Sequence, residues 1–422
     1  AGSFRHGALS STAAACAPTA PVPPPVAAAG SALLNRSERG GQEVGAAHSQ
    51  RTQVADLLVR EVRRRRSRFR VAPQAEPPLH PPSSRASSSR GTAISQVPCD
   101  ESGVIDPHVL LEQLRRSPCI APTTADMAHK VVTALQSQLE GIESPVIDLQ
   151  VPQVANGEGK VVLVGDTHGQ LLDVLHIFEQ QGPPSESVMY LFNGDIVDRG
   201  RFAVEIWLLL CAFKRKYPGS VHVLRGNHEN EQMVARPLKM GGGFAEDCLA
   251  KYSGKLLAAF QRVFKLLPLF AVIEGEVFVV HGGLFRNRNV TLETLRRLPK
   301  ESWRRNYPNP LSNEQIAQGV RWTEDEEILF DAQWADPHFG TGSRQSSRGR
   351  VAVTFGEDVT RRFLDDAGLS LVVRSHRVPQ SGRGFEVDHA GRLMTLFSAS
   401  RYGGVLHNKG AVAVLRRADG DV

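Results

Sequence analysis

The chain's 422 residues, 41% of them hydrophobic, can bury a large core, and length alone allows one to three domains. Its formal charge of +6 is uneven: residues 1–98 hold 13 Arg, no Lys and five acidic residues, a net +8, so the remainder carries −2, which excludes a nucleic-acid footprint on the globular part. Five scattered cysteines (Cys16, Cys99, Cys119, Cys211, Cys248) with no CxxC pair exclude a disulfide framework or a thiolate metal site and favour a reducing compartment, and no run approaches the roughly 18 apolar residues of a membrane span.

The front of the chain is compositionally biased. "AAACAPTAPVPPPVAAAGSA" and "PPLHPPSSRASSSRGT" are Ala/Pro/Ser tracts that cannot bury enough apolar surface to offset chain entropy, so residues 1–98 are expected to be a low-complexity, disordered Ala/Pro/Ser/Arg-rich segment. Its acid-poor start at Ala1 fits a fragment, a processed form or an organelle transit peptide; otherwise the expectation is a cytoplasmic or nuclear protein. Within it, "VADLLVREVRRRRSRFRV" sets Val54, Leu57, Leu58 and Val62 at helical spacing ahead of Arg63 to Arg66, Arg68 and Arg70. Segment 54–70 is thus a candidate site for calmodulin or another regulatory partner, for a membrane surface or for nuclear import, and a solvated tract with no partner explains it equally well.

From Val104 the pattern changes, and residues 99–422 read as one mixed α/β domain with a short helical lead-in over about 104–142. "IDPHVLLEQLRR" and "TADMAHKVVTALQSQLEGI" have helical periodicity behind an N-capping Asp or Thr. "KVVLVGD", "VMYLFNGD" and "VHVLRGNHE" read as strands, separated by the helices "QLLDVLHIFEQQG" and "FAVEIWLLLCAFKRKYPG", the alternation of βαβ units. Further on, "LFAVIEGEVFVVHGG" predicts two strands about a Glu274-Gly275 turn, "LDDAGLSLVVRSH" a helix end, a Gly368 cap and a strand, and "GRLMTLFSAS" and "GAVAVL" further strands.

In such sheets, sites form where loops leave the carboxyl ends of strands. Five runs end with polar groups there: Asp166 and His168; Asp195, Asp198 and Arg199; Asn227 and His228; His281; and His376. A single Gly-Asp or His-Gly-Gly is an ordinary turn, but five such strand ends in succession are not explained that way. Carboxylate, imidazole and amide oxygen without thiolate suit Mn, Fe or Zn. The set exceeds what one open metal site needs and suits two divalent transition metal ions roughly 3.5 to 4 Å apart, bridged by Asp195, an arrangement that serves phosphoester hydrolysis.

The ordered strings "GDTHGQ", "GDIVDRG", "LRGNHE", "HGGLF", "RSH" and "SASRY" resemble the signature of the PPP family of metal-dependent serine/threonine protein phosphatases, over about residues 104–416, and most resemble types 5 and 7. The resemblance implies a metallophosphoesterase (calcineurin-like) fold, with mixed β-sheets forming a central sandwich flanked by helices. It implies hydrolysis of phosphoserine and phosphothreonine in phosphoprotein substrates by metal-activated water, with no phosphoenzyme. Carried onto this sequence, it assigns Asp166, His168 and bridging Asp195 to one metal, and Asp195, Asn227, His281 and His376 to the other. His228 becomes the proton donor to the leaving oxygen, oriented by Asp198, while Arg199, Asn227, Arg348 and Tyr402 contact the phosphate. No tetratricopeptide repeat is visible in the front end.

Departures from the family pattern are local. "RGRVAVTFG" is one residue longer between RG and FG than the family's run, which leaves Arg348 and Arg350 in competition for the second phosphate contact, with Arg348 preferred. The family's "SAPNYC" reads "SASRYG", which puts Arg401 near the pocket and suggests a taste for acidic substrates and altered sensitivity to toxin inhibitors. The stretch 299–333 is longer than usual, and its acidic run Glu324, Asp325, Glu326 and Glu327 reads as a solvated surface loop in preference to a substrate-selecting insert. Asp336 is a supporting residue at most. The competing functions are a metallophosphoesterase acting on nucleotides and a catalytically impaired scaffold of the same fold.

Overall fold

The computed structural model describes residues 67–73, 104–118, 121–154, 159–306, 313–349 and 351–417, all within the unit Arg51–Val422. The described strands are, in chain order, β1 (Ser67–Pro73), β2 (Val146–Leu149), β3 (Lys160–Val164), β4 (Val188–Phe192), β5 (Val221–Val223), β6 (Phe270–Ile273), β7 (Val277–Val280), β8 (Asp336–Pro337), β9 (Ser343–Gln345), β10 (Val353–Phe355), β11 (Leu371–Arg374), β12 (Phe385–Asp388), β13 (Leu393–Leu396) and β14 (Ala411–Arg417). They form one sheet in the order β1-β14-β3-β4-β5, a second in the order β12-β13-β11-β7-β6-β2, and a small third one, β8-β10-β9.

The strand sequences are apolar on both faces because both faces are covered. In β3, Val161 and Leu163 enter the core between the two large sheets, while Val162 and Val164 enter the core beneath the helices. β7 mirrors this: Val277 and Val279 face the other sheet, and Phe278 and Val280 face an outer core with Phe363 and Ile328. Layers of helix, sheet, sheet and helix result, the sandwich expected from the resemblance. The two lead-in helices, Pro107–Arg116 and Ala125–Glu140, pack in the first helix-side core. Asp106 caps one, accepting from His108 N at 2.8 Å, and Thr124 caps the other, accepting from Met127 N at 3.2 Å.

Three features differ from the sequence reading. Ser67–Pro73, placed by composition in the low-complexity segment and by periodicity at the end of a basic helix, is a strand paired antiparallel to β14, from Ser67 opposite Arg417 to Pro73 opposite Ala411. The free edge of β14 supplies backbone partners that local composition does not reveal. The remainder of the 1–98 segment, with the rest of the basic tract 54–66, lies outside the described residues.

Secondly, the acidic run is no solvated loop. Glu324–Trp334 is a helix with Ile328, Leu329 and Phe330 buried, and a capping box closes between Thr323 and Glu326. Its acids favour the positive end of the helix and bond within the chain: Asn287 Nδ2 donates to Glu324 at 2.6 Å, Ser302 Oγ to Asp325 at 2.5 Å, and Arg305 pairs with Glu326 at 3.2 Å. Thirdly, the edge strands β2 and β12 and the helices Phe244–Lys251 and Gly254–Leu266 carried no element in that reading.

Candidate active site

The loops leaving β3, β4, β5, β7 and β11 meet at one rim. A side chain on Gly194 would put its Cβ 2.4 Å from Gly226 N, so the loops after β4 and β5 touch backbone to backbone and bring Asp195 against the Asn227-His228 turn. Left-handed backbone marks the rim: His168 (φ 42°), Asp195 (49°), Asp198 (68°), Arg199 (66°), His376 (68°) and Arg401 (46°). Each costs of order 1–3 kcal/mol for a residue with a side chain, and such strain gathers at functional sites.

Asp166, His168, Asp195, Asn227, His281 and His376 are all buried and converge. Two groups, His168 with Asp195 and His228, and Asp195 with His281 and His376, offer ligand atoms within 4.8 Å of one another. His168 Nε2 lies 3.4 Å from Asp195 Oδ2, and His281 Nε2 3.5 Å from Asp195 Oδ1, so this carboxylate stands between the two groups. Asn227 Oδ1 is 3.0 Å from His281 Nε2 and 2.9 Å from His376 Nδ1. Backbone carbonyls fix two of the rings: Nδ1–H of His168 donates to Val197 O at 2.8 Å and that of His281 to Asn193 O at 2.7 Å, leaving each Nε2 pointed inward.

The electrostatics fit cations. Burial, and then the charge of Asp195, push Asp166 up to about 7, and burial pulls His168 down to about 3, so its ring is the neutral form that a metal binds. His376 Nε2 is buried with no hydrogen-bond partner. Two buried carboxylates beside imidazoles and an amide oxygen, with no thiolate, form a donor set for borderline metal ions.

His228 stands beside this group with its Nδ1 2.7 Å from Asp198 Oδ2, and Asp198 Oδ1 accepts Phe244 N at 3.1 Å. Burial disfavours the charged ring, but the charge of Asp195 and the hydrogen bond and charge of Asp198 outweigh it and raise the pKa of His228 above its ordinary value. Arg199 is exposed at the mouth, and Tyr402 lies with its ring 5.2 Å from that of His168. Arg348 reaches the same place: its Nε bonds Asp336, and its Nη2 donates to His376 O at 3.0 Å. Asp336 also takes Arg374 Nη2 at 2.9 Å, so it anchors two guanidinium groups. Arg350, the competitor, lies outside the described residues.

Sequence reasoning missed some of the supports. Glu229 accepts four backbone amides, from Asp195 (2.8 Å), Ile196 (2.9 Å), Val197 (3.3 Å) and Gly226 (3.0 Å), and so fixes the turn that carries the central carboxylate. Asp173, pushed up to about 6 by burial, holds the "SASRY" loop through Ser400 Oγ at 2.8 Å and Ser400 N at 3.0 Å. Asn193 Nδ2 donates to Val280 O and to Ser375 Oγ, both at 2.9 Å, and so joins the sheets at the rim. A lone polar residue ending the apolar run "VMYLF" was the one available signal for Asn193.

This fold and rim define a calcineurin-like phosphoesterase: residues 159–380 match that family's model, and the chain belongs to the family. Within it the chain belongs to the serine/threonine protein phosphatases related to type 5. Serine/threonine-protein phosphatase 5 of Arabidopsis thaliana is 41% identical over 285 residues, which is 67% of this chain and 47% of the relative. The Homo sapiens protein of the same name is 40% identical over 260 residues, covering 62% and 47%. A solved Saccharomyces cerevisiae protein serine/threonine phosphatase, described as similar to human phosphatase PP5, matches with a TM-score of 0.58 at 30% identity, over 68% of this chain and 81% of that one. The chain spans about half the length of the curated relatives it matches. Among the described residues, no helix is long and apolar enough to cross a membrane.

Proposed function

We propose that the chain is a protein phosphatase that hydrolyses phosphoserine and phosphothreonine esters by direct attack of water, with no phosphoenzyme. The observation that carries this reading is the His228–Asp198 pair, at 2.7 Å, set between a metal-ligand cluster and two arginines. Asp166, His168 and Asp195 would hold one metal, and Asp195, Asn227, His281 and His376 a second, both of the Mn, Fe or Zn class. Bound there, such ions supply Lewis acidity towards the phosphoryl group and lower the pKa of water.

The protein's own groups do the rest. Arg199 and Arg348, whose charges both act on Tyr402, bind phosphoryl oxygens through forked donors and oppose the charge that spreads over them in the transition state. Asp198 accepts the Nδ1 proton of His228, so Nε2 is the position that delivers a proton to the departing serine or threonine oxygen. The Trp334 ring stands edge-on to His376, centroids 5.4 Å apart, and walls that side of the site against bulk water. Substrates are phosphoproteins, and the two buried free thiols among the described residues, Cys211 and Cys248, are in keeping with a reducing compartment.

The test is hydrolysis of para-nitrophenyl phosphate, a phosphoserine peptide and ATP, with and without Mn²⁺, by wild type, Asp195→Asn and His228→Asn. The expected outcome is metal-dependent turnover of the first two substrates, with kcat lowered on the order of 10²- to 10⁴-fold in His228→Asn. Preferential turnover of ATP would point to the nucleotide-directed alternative, and no turnover by metal-loaded protein would mean an impaired scaffold.

A further inference from the structure

Arg199 has to hold a long, flexible side chain in one place if it is to meet a phosphoryl group. Its guanidinium makes no hydrogen bond or ion pair among the described residues, so polar partners do not hold it. Shape does. A Cβ built on Gly241 would lie 2.3 Å from Arg199 Nη1, 2.6 Å from Cζ and 2.9 Å from Nη2, so the guanidinium covers the backbone of Gly241. Gly241 has a φ of 83°, a conformation that favours glycine, and it ends the short turn Leu238–Met240.

The rest of the run makes this surface. A Cβ on Gly242 would meet Arg236 O at 2.1 Å, and Gly243, at φ 120°, donates its amide to the same carbonyl at 2.9 Å. The loop therefore folds tightly on itself and shows Arg199 backbone with no side chains. It is also tied to the site at both ends of the contact: Arg199 N donates to Gly242 O at 2.9 Å, and Phe244 N to Asp198 Oδ1 at 3.1 Å.

We propose that Gly241–Gly243 is a backbone shelf that fixes where the Arg199 guanidinium stands, and through it how tightly the site holds a phosphoryl group; Gly241 is a positioning residue. The inference rests on the reading of Arg199 as a phosphate-binding group. Pre-placing a rotamer-rich side chain removes part of the ordering cost of binding, so unseating it weakens affinity with no loss of a contacting residue.

The test is a double-mutant cycle of Gly241→Ala and Arg199→Ala in the full chain, read by kcat/KM on a phosphoserine peptide, by inhibition with inorganic phosphate and by bound-metal content. Gly241→Ala is expected to lower kcat/KM about tenfold, to weaken phosphate inhibition in step and to leave metal content unchanged. On the Arg199→Ala background it should add nothing. Gly368→Ala, at φ 66° with nothing within 4 Å, imposes similar backbone strain far from Arg199 and should leave both constants unchanged. Additive losses, or an effect equal to that of Gly368→Ala, would overturn the proposal. If Gly241→Ala fails to fold, Arg199→Ala/Gly241→Ala decides: recovery of folding supports the clash, and continued failure overturns it. If Arg199→Ala itself leaves kcat/KM and phosphate inhibition intact, the reading of Arg199 falls and the inference falls with it.

Discussion

Val161 and Leu163 of β3 and, a few positions on, Asp166 and His168 are buried to the same degree, but they are stabilised by opposite means. The first pair packs among apolar neighbours between the sheets in regular strand geometry. The second pair is polar, and His168 takes a left-handed backbone. The interior of the sandwich needs only apolar residues of fitting volume. The rim needs particular partners for its polar groups, such as Glu229 for the amides around Asp195 and Asp198 for His228, and it holds strain that the packed interior offsets. Stability and chemistry are thus separated along the same strands by a few residues.

That separation can be broken from either side. Leu163→Ala should cost about 2–5 kcal/mol of stability, measured by denaturant unfolding, while metal content and KM stay near wild type; a parallel loss of metal would show that core and rim are not separable. Glu229→Gln puts a donor among four amide donors and should weaken metal affinity about 10- to 100-fold, measured by metal titration, with a smaller change in unfolding. Thr323→Ala, at the cap of the helix Glu324–Trp334, should cost about 1 kcal/mol and leave kinetics unchanged if the acidic run is structural. An effect confined to acid pH, and absent at neutrality, concerns His222, whose pKa is pulled down to about 4, first by burial and then by the Lys214 charge. Below pH about 6.5 the unfolded chain takes this proton and the folded chain does not, so stability falls as pH drops from 6.5 towards 4. His222→Gln should flatten that part of the pH–stability curve, followed by thermal melts.

Asp166, His168, Asp195, Asp198, Arg199, Asn227, His228 and His281 were legible as candidates because each sits within a few residues of a glycine at the end of an apolar strand, and His376 because it follows the apolar run "LVV"; the order of these strings survives without knowledge of their packing. What stayed hidden depends on residues remote in sequence. The surroundings of Arg348 come from the fold, which sets Asp336 and the His376 carbonyl beside it. The helix Glu324–Trp334 was masked because Ile328, Leu329 and Phe330 are buried consecutively, with no helical stripe to read, although Thr323 and Glu326 had the spacing of a capping box. β1 was hidden because Ser67–Pro73 becomes a strand only against β14.

β14 also sets an order of events during synthesis. It lies between β1 and β3, pairing Ser67 with Arg417 on one side and Val164 with Val412 on the other. Neither earlier strand can pair with β14 until the ribosome has made residues 411–417 and they have left the exit tunnel. Until then β3 and β4 can pair with one side of their sheet open, a long-lived apolar edge on the nascent chain. Closure of this sheet therefore waits for β14, the strand latest in sequence among the described residues.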